Sequence, residues 1–261
     1  MTTRTWRTRL LYALGLPVVL VALWWFASSA STNYFWPSLQ TILSAFPDTW
    51  IGQGRVVGDV VPSLVRLLIG YAIALVLGIA IGTLVGSFRT LRELLEPLFD
   101  FFRALPPPVL IPVLMILIGI GDTMRVVVIA LGCLWPVLIN TVEGVRQVDE
   151  IQRATASVYQ LPALMRLRRL TLPAAAPLIF AGARQALSIG IILMVISEMF
   201  ASTNGIGFAI QQFQRTFSVP EMWTGVILLG VVGVILAWLF RLVETRVLAW
   251  YTSIHEAHRD N

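Results

Sequence analysis

Six stretches of this chain are apolar over roughly twenty residues each, and they dominate any account of how it folds. Crossing about 30 Å of hydrocarbon takes ~20 helical residues, and the runs at 10–28, 62–86, 97–118, 124–142, 177–199 and 221–245 meet that requirement. The whole chain is 57% apolar and only 13% charged, with a mean hydropathy of +0.81. A water-soluble core could not bury that much apolar surface, so lipid must cover the excess. The expected fold is therefore all-α, a single polytopic transmembrane domain over 1–261.

Every one of the nineteen basic residues is arginine. A P-loop needs the lysine of G-x-x-x-x-G-K-[ST] to hold the β- and γ-phosphates. ATP chemistry, if any, must come from a partner. The arginines are spread between apolar spans rather than gathered on one face, which argues against a nucleic-acid partner. Their spread instead sets an orientation by the positive-inside rule. An N-terminus inside places Arg4, Arg7, Arg9, Arg89, Arg92, Arg146, Arg153, Arg166, Arg168, Arg169, Arg246 and Arg259 on the cytoplasmic side. Only Arg55, Arg125 and Arg215 fall opposite, so both termini are expected in the cytoplasm.

The first span has a second reading. A basic start, the run from Leu10 to Ala27 and the small residues Ser28 to Ser31 also suit a cleavable signal peptide. The length of the run and the interfacial anchor Trp24-Trp25-Phe26 favour a retained helix. The single cysteine, Cys133, excludes an internal disulfide and reads as a buried structural thiol. His255 and His258 stand i, i+3 with no third ligand nearby, so no metal site is expected. No pairing of nucleophile and base points to catalysis.

Three connections carry information. In the outer segment 29–61, Pro37-Ser38 precedes Leu39, Ile42, Leu43 and Phe46 at helical spacing, which predicts a short amphipathic helix. The segment 200–220 contains Asn204-Gly205-Ile206-Gly207 and reads as a turn. The cytoplasmic loop 143–176 predicts two short helices. Asp149-Glu150 suit the start of the first, Pro162 the first turn of the second, and Leu172-Pro173 its end. Arg153, Arg166, Arg168 and Arg169 make the pair basic, as expected of a docking element, although a positively charged loop that only sets topology is the plainer reading.

Charged residues inside spans are costly and mark candidate function. Asp100 and Arg103 sit one turn apart, with Glu96 on the same face, just before Pro106-Pro107-Pro108. The prolines must break the helix, so Asp100, Arg103 and Pro107 are gate candidates. Arg184 and Glu198 share a face at opposite ends of the fifth span and are pathway candidates, with snorkelling to the interfaces as the alternative. Gly70, Gly78, Gly82 and Gly86 recur on the second span as a close helix contact would require.

Many of these segments resemble the binding-protein-dependent ABC importer permeases, of the sulfonate/taurine/nitrate branch. The resemblance rests on Pro37-Ser38, Ser63-Leu64-Val65-Arg66 with Gly70, Gly78 to Gly82 with Gly86, Glu96-Pro97-Leu98 and Arg103 to Pro106. It continues through Pro112, Gly119-Ile120-Gly121, Trp135-Pro136, Asn140-Thr141, Gly144-Val145, Glu198 with Gly205-Ile206-Gly207, and Glu244-Thr245-Arg246. The family's cytoplasmic motif, E-A-A-x3-G-x(n)-L-P, falls on Ala154, Thr155, Ala156, Gln160, Leu172 and Pro173, and this chain departs from it at the glutamate, the second position and the glycine. The resemblance implies a six-helix type I permease of a bacterial inner membrane. It also implies a second permease chain, identical or homologous, two ATPase subunits that hold the ATP and Mg, and an extracytoplasmic binding protein. Glu150, Arg153, Ala154, Gln160, Pro162, Arg166, Arg168, Arg169, Leu172 and Pro173 would then contact an ATPase. The implied cargo is a small, often anionic molecule such as a sulfonate, taurine, nitrate or an aromatic or pyrimidine compound. An ion-coupled secondary transporter is the alternative, and a membrane-embedded enzyme a more distant one.

Overall fold

The computed structural model describes residues 6–251 apart from 201, with side-chain surroundings from Gly15 onward. His255, His258, Arg4 and Arg259 lie outside the described residues. Every regular element described is helical. In chain order these are α1 (Trp6–Ser29), α2 (Leu39–Pro47), α3 (Val61–Ser87), α4 (Arg89–Ala104), α5 (Leu110–Ile118), α6 (Asp122–Arg146), α7 (Glu150–Val158), α8 (Ala163–Arg166), α9 (Leu172–Met199), α10 (Ile206–Arg215) and α11 (Val219–Val247).

Among the described residues, four continuous helices are long and apolar enough to cross a membrane: Val56–Ser87, Asp122–Arg146, Ala163–Met199 and Val219–Val247. The expected third span is not a single rod. It is α4 joined through the 3-10 turn Pro107–Val109 to α5, with a bend of 76°. The cause is local. Pro106, Pro107 and Pro108 remove three backbone donors in succession, so the helix cannot continue through them. The bent helix also starts earlier than its apolar run suggested, at Arg89, because α4 is strongly two-sided and keeps its charges on one face.

The core is a layer of three helices, with α6 between α3 and α9. The glycines make this possible. A Cβ on Gly70, Gly78, Gly82 or Gly86 of α3 would lie 2.7–2.8 Å from side-chain atoms of Ile129, Val137, Thr141 or Val145 of α6. On the other side of α6, a Cβ on Gly182 of α9 would lie 2.6 Å from the Pro136 carbonyl oxygen, and one on Gly190 would lie 3.0 Å from Cys133 Sγ. Cys133 is buried at this junction and donates to the Ala186 carbonyl at 3.2 Å. Small residues thus bring the backbones of three helices together where lipid offers no hydrophobic drive for association. We expect Gly82→Val to destabilise the purified protein by about 1–3 kcal/mol through overpacking. Gly230→Ala, with nothing within 4 Å of the added carbon, should be neutral in the same thermal unfolding series in mild detergent.

Two helices differ from the sequence reading. The segment 200–220 is not only a turn, because α10 occupies ten of its residues and buries Ile206, Ala209 and Phe213. In addition, Leu172-Pro173 does not terminate the second cytoplasmic helix. Residues Ala163–Met199 run as one helix of 37 residues, with a π turn at Leu167–Thr171 directly before Pro173. A wider turn relieves the clash that a proline ring makes with the carbonyl four residues earlier, so the helix passes through instead of stopping. Pro162, expected inside the first turn, is the residue before it, with an extended ψ of 143°.

Candidate pathway and coupling surface

The two ends of the bundle differ in character. At the end where α3 and α6 begin, charged side chains are buried in a closed network. Glu198, in the last turn of α9, is 0% exposed and Arg66, in the second turn of α3, is 4% exposed. Arg66 Nη1 donates to Glu198 Oε1 at 3.0 Å, and the Ser63 hydroxyl lies 2.7 Å from the same oxygen. Oε2 accepts the Gly207 N–H at 3.0 Å. Ser63 Oγ accepts the Ile206 N–H at 2.9 Å, and Asp59 Oδ1 accepts the Gly205 N–H at 2.9 Å. Three successive amides at the start of α10 therefore meet oxygens supplied by α3, by the turn leading into it and by α9. Negative charge at a helix N-terminus is favourable, and the orphan amides there need acceptors.

This geometry accounts for the pair of glycines. Gly205 has φ +121°, and a Cβ there would sit 2.4 Å from the Glu198 carboxyl carbon. A Cβ on Gly207 would sit 2.3 Å from the Val195 carbonyl oxygen. The network then extends outward. Arg66 Nη2 pairs with Asp122 Oδ1 at 2.8 Å and binds the Asn204 side chain, and Asp122 also pairs with Arg125 at 2.8 Å. Glu198, read from the sequence as a pathway residue, is fully buried among these partners. It fastens α9, α3 and α10 together. Arg184 does not reach it, and pairs instead with Glu244 of α11.

The broken helix lies elsewhere, on an open face. Asp100 and Arg103 pair with each other at 3.0 Å, both more than half exposed. They line a cleft of about 270 Å³ against α6, and Arg103 and Pro107 line a second of about 510 Å³ that reaches α9. Arg103, Ile139 and Asn140 border both. The wall includes Trp135, whose ring is stacked on Phe102 with an interplanar angle of 8° and centroids 6.0 Å apart. Asn140 and Gln185 provide amides inside otherwise apolar helices. Asp100, Arg103 and Pro107 are thus brought to one face, with Trp135, Asn140 and Gln185 as partners that the sequence reading did not single out as pathway residues. Their signal was available, since polar side chains within spans are expensive to keep. The face can accept a small polar solute between a cation, two amides and an aromatic plane.

The opposite end carries α7 and α8. Asp149 caps α7, its Oδ1 accepting the Ile151 N–H at 2.8 Å. The helix ends in a Schellman arrangement, with the Leu161 N–H on the Ala156 carbonyl at 3.0 Å and the Gln160 N–H on the Ser157 carbonyl at 2.9 Å. Gln160 therefore occupies the left-handed position, with φ +50°. Glycine is the residue that position favours, and it is the residue the family motif places there. Ala156, the motif position this chain retains, is buried, whereas Ala154 is exposed. We expect Gln160→Gly to stabilise the end of α7 by about 1 kcal/mol, slowing amide exchange there roughly fivefold. The exposed Ala154→Glu change should leave that exchange unaltered.

Arg153 is exposed and also makes contacts within the chain. Its guanidinium donates to the carbonyls of Val145 and Arg146, closing the C-terminus of α6 and fixing α7 against it. Glu150, Arg168 and Arg169 are exposed, while Leu172 and Pro173 form the first turn of α9. Around them lies apolar surface with no cover: Ile151 is 74% exposed, Val158 80% and Tyr159 76%. Between α7 and α8 runs a groove of about 520 Å³ bordered by Ile151, Tyr159, Leu161, Met165 and Arg169.

A polytopic helical bundle with a cleft along a broken helix, and a projecting helix pair with a bare apolar face, has the form of a transport permease. The chain belongs to the family of binding-protein-dependent transport system inner membrane components, whose model matches residues 74–249. It is similar to an aliphatic sulfonates transport permease protein of Bacillus subtilis, 29% identical over 240 residues that cover 91% of this chain and 87% of that protein. It is also similar to a bicarbonate transport system permease protein of Synechococcus elongatus, 34% identical over 188 residues covering 70% and 68%. Its fold matches the inward-facing MetNI methionine ABC transporter with a TM-score of 0.63 at 19% identity, over 76% of this chain and 96% of that one. The fold is thus that of a type I ABC importer permease, and the protein is a multi-pass membrane component of a transport system. The ion-coupled carrier weighed above finds no support in these relatives.

Proposed function

We propose that this chain forms half of the membrane pathway of an ATP-driven importer for a small anionic solute. Its working partners are a second permease chain, two ATPase subunits docked on residues 150–171, and an extracytoplasmic binding protein. ATP and Mg belong to the ATPases, and this chain hydrolyses nothing itself. Both termini, with α7 and α8, face the cytoplasm, in keeping with the arginine distribution.

The observation that carries the reading is the bare apolar surface of α7. A helix that projects beyond the spans with Ile151, Val158 and Tyr159 exposed needs a protein partner, since water-facing patches of this kind mark interaction sites. Arg153 bolts α7 to the end of α6, so a movement imposed on α7 is passed directly to the helix that walls both clefts. Continuity of α8 with α9 gives a second rigid lever to the same cleft. Nucleotide-driven closure of the ATPases would in this way rock α6 and α9 against α4 and α5, and alternate the side on which the cleft opens. The relatives named for sulfonates and bicarbonate, together with Arg103, Asn140 and Gln185 in the cleft, support an anion as cargo.

The test is purification of the tagged chain from native membranes in mild detergent, followed by mass spectrometry of what accompanies it. Stoichiometric recovery of an ABC ATPase is expected, together with either a second permease or none if the pair is identical. Recovery of the chain without any ATPase would overturn the proposal.

A further inference from the structure

A second groove adjoins the coupling surface and shares residues of the 163–171 segment with it. On the outer flank of α3, a groove of about 600 Å³ runs between that helix and the 163–172 segment. Its walls are apolar, with Val76, Ala80, Leu84 and Phe88 on one side and Ala163 and Leu167 on the other. Val76, Leu84 and Phe88 are exposed, so the groove opens sideways, toward where lipid would stand. A more polar chamber of about 220 Å³ adjoins it, and Ser87, Arg166 and Thr171 border both spaces. Arg166 has no ion-pair or side-chain hydrogen-bond partner among the described residues, as is true of Arg168 and Arg169 beside it. Of these three only Arg166 borders both spaces, and Arg153 in the chamber wall is already held by the Val145 and Arg146 carbonyls. The Thr83 hydroxyl, in the groove wall, is buried without a partner.

Each simple occupant satisfies only half of this site. An acidic side chain of a docked ATPase, or free phosphate, would neutralise Arg166 and leave the apolar groove open. A helix of a second permease would fill the groove and leave Arg166 unpaired. A ligand that is anionic at one end and aliphatic along its length satisfies both, and basic pockets beside helices at the cytoplasmic interface are suited to acidic headgroups. We propose that this chain binds one anionic glycerophospholipid of the inner leaflet here, its phosphate on Arg166 with Ser87 and Thr171, and one acyl chain along Val76, Ala80 and Leu84. The proposal rests on the orientation given above, which sets this end of α3 at the cytoplasmic face. The bound lipid would lie as a wedge between α3 and the lever formed by α8 and α9.

Native mass spectrometry of the purified, delipidated assembly tests this by titration with phosphatidylglycerol or with phosphatidylcholine of the same acyl chains, without ATP or solute. A saturable phosphatidylglycerol site is expected. Arg166→Gln, which removes a charge-assisted hydrogen bond, and Ala80→Trp, which fills the groove from an exposed position, should each weaken it about tenfold or more. Arg168→Gln, outside the site, should leave it unchanged. Equal binding of the two lipids, retention in both site variants, equal loss with Arg168→Gln, or displacement by millimolar inorganic phosphate would overturn the proposal. Because binding is read without transport, failure here leaves the importer reading standing, and loss of the ATPase from the purified assembly would strike that reading alone.

Discussion

Arg66→Met is expected to destabilise the purified protein by about 3–5 kcal/mol, the usual cost of leaving a buried charge without its partner. Glu198 is fully buried, and the substitution removes the cation from its Oε1 while the Gly207 N–H and Ser63 stay in place. The double variant Arg66→Met/Glu198→Gln should recover much of the loss, because the glutamine oxygen still accepts the Gly207 N–H and no naked charge remains. Thermal unfolding in mild detergent, followed by tryptophan fluorescence, reads the difference. If single and double variants unfold together, the pair is not the fastening described here. The effect reaches beyond one ion pair, since the same carboxylate orders the start of α10 and α10 packs on both α9 and α11.

The second large effect concerns the coupling surface. Val158→Glu places a charge on the bare apolar face of α7, in its last turn, where it is solvated in the free chain and must be stripped of water in a complex. Truncation of an interface hot-spot residue costs about 2–4 kcal/mol, which is roughly a 30- to 1000-fold loss of affinity. We therefore expect Val158→Glu to abolish recovery of the ATPase with the tagged permease, while yield and unfolding temperature of the permease itself stay unchanged. A comparable charge at Thr90, exposed at the start of α4 and outside residues 150–171, provides the comparison. Unchanged recovery in Val158→Glu would move the docking site away from α7.

Much of the bundle was legible because it follows from properties of single helices. The spacing of Gly70, Gly78, Gly82 and Gly86 pointed to a close contact before its partner, α6, was known. Three consecutive prolines announced the break between α4 and α5, though not its angle. What escaped the sequence is what depends on distant residues meeting. Arg66 and Glu198 are 132 positions apart, and no helical periodicity relates them. Glu198 therefore looked like an unexplained charge within a span, when it is the acceptor for α10. Arg184 and Glu244, 60 positions apart, posed the same difficulty. Arg153 looked like one more cation on a basic loop, because nothing local shows that it bonds the carbonyls that end α6. Gln160 departs from a glycine motif, and the positive φ there is why that motif carries glycine. Pro173 misled in the opposite direction, since a π turn lets the helix continue where a proline normally ends it.

Movement of the cleft would be driven by ATP hydrolysed on a partner at α7. Uptake of radiolabelled solute into proteoliposomes containing the co-purified assembly and its binding protein tests this most directly, with Mg-ATP supplied to the side that carries α7 and α8. Accumulation that requires ATP, and that Val158→Glu eliminates, is the predicted result. Accumulation that proceeds without nucleotide and follows an imposed proton or sodium gradient would contradict it.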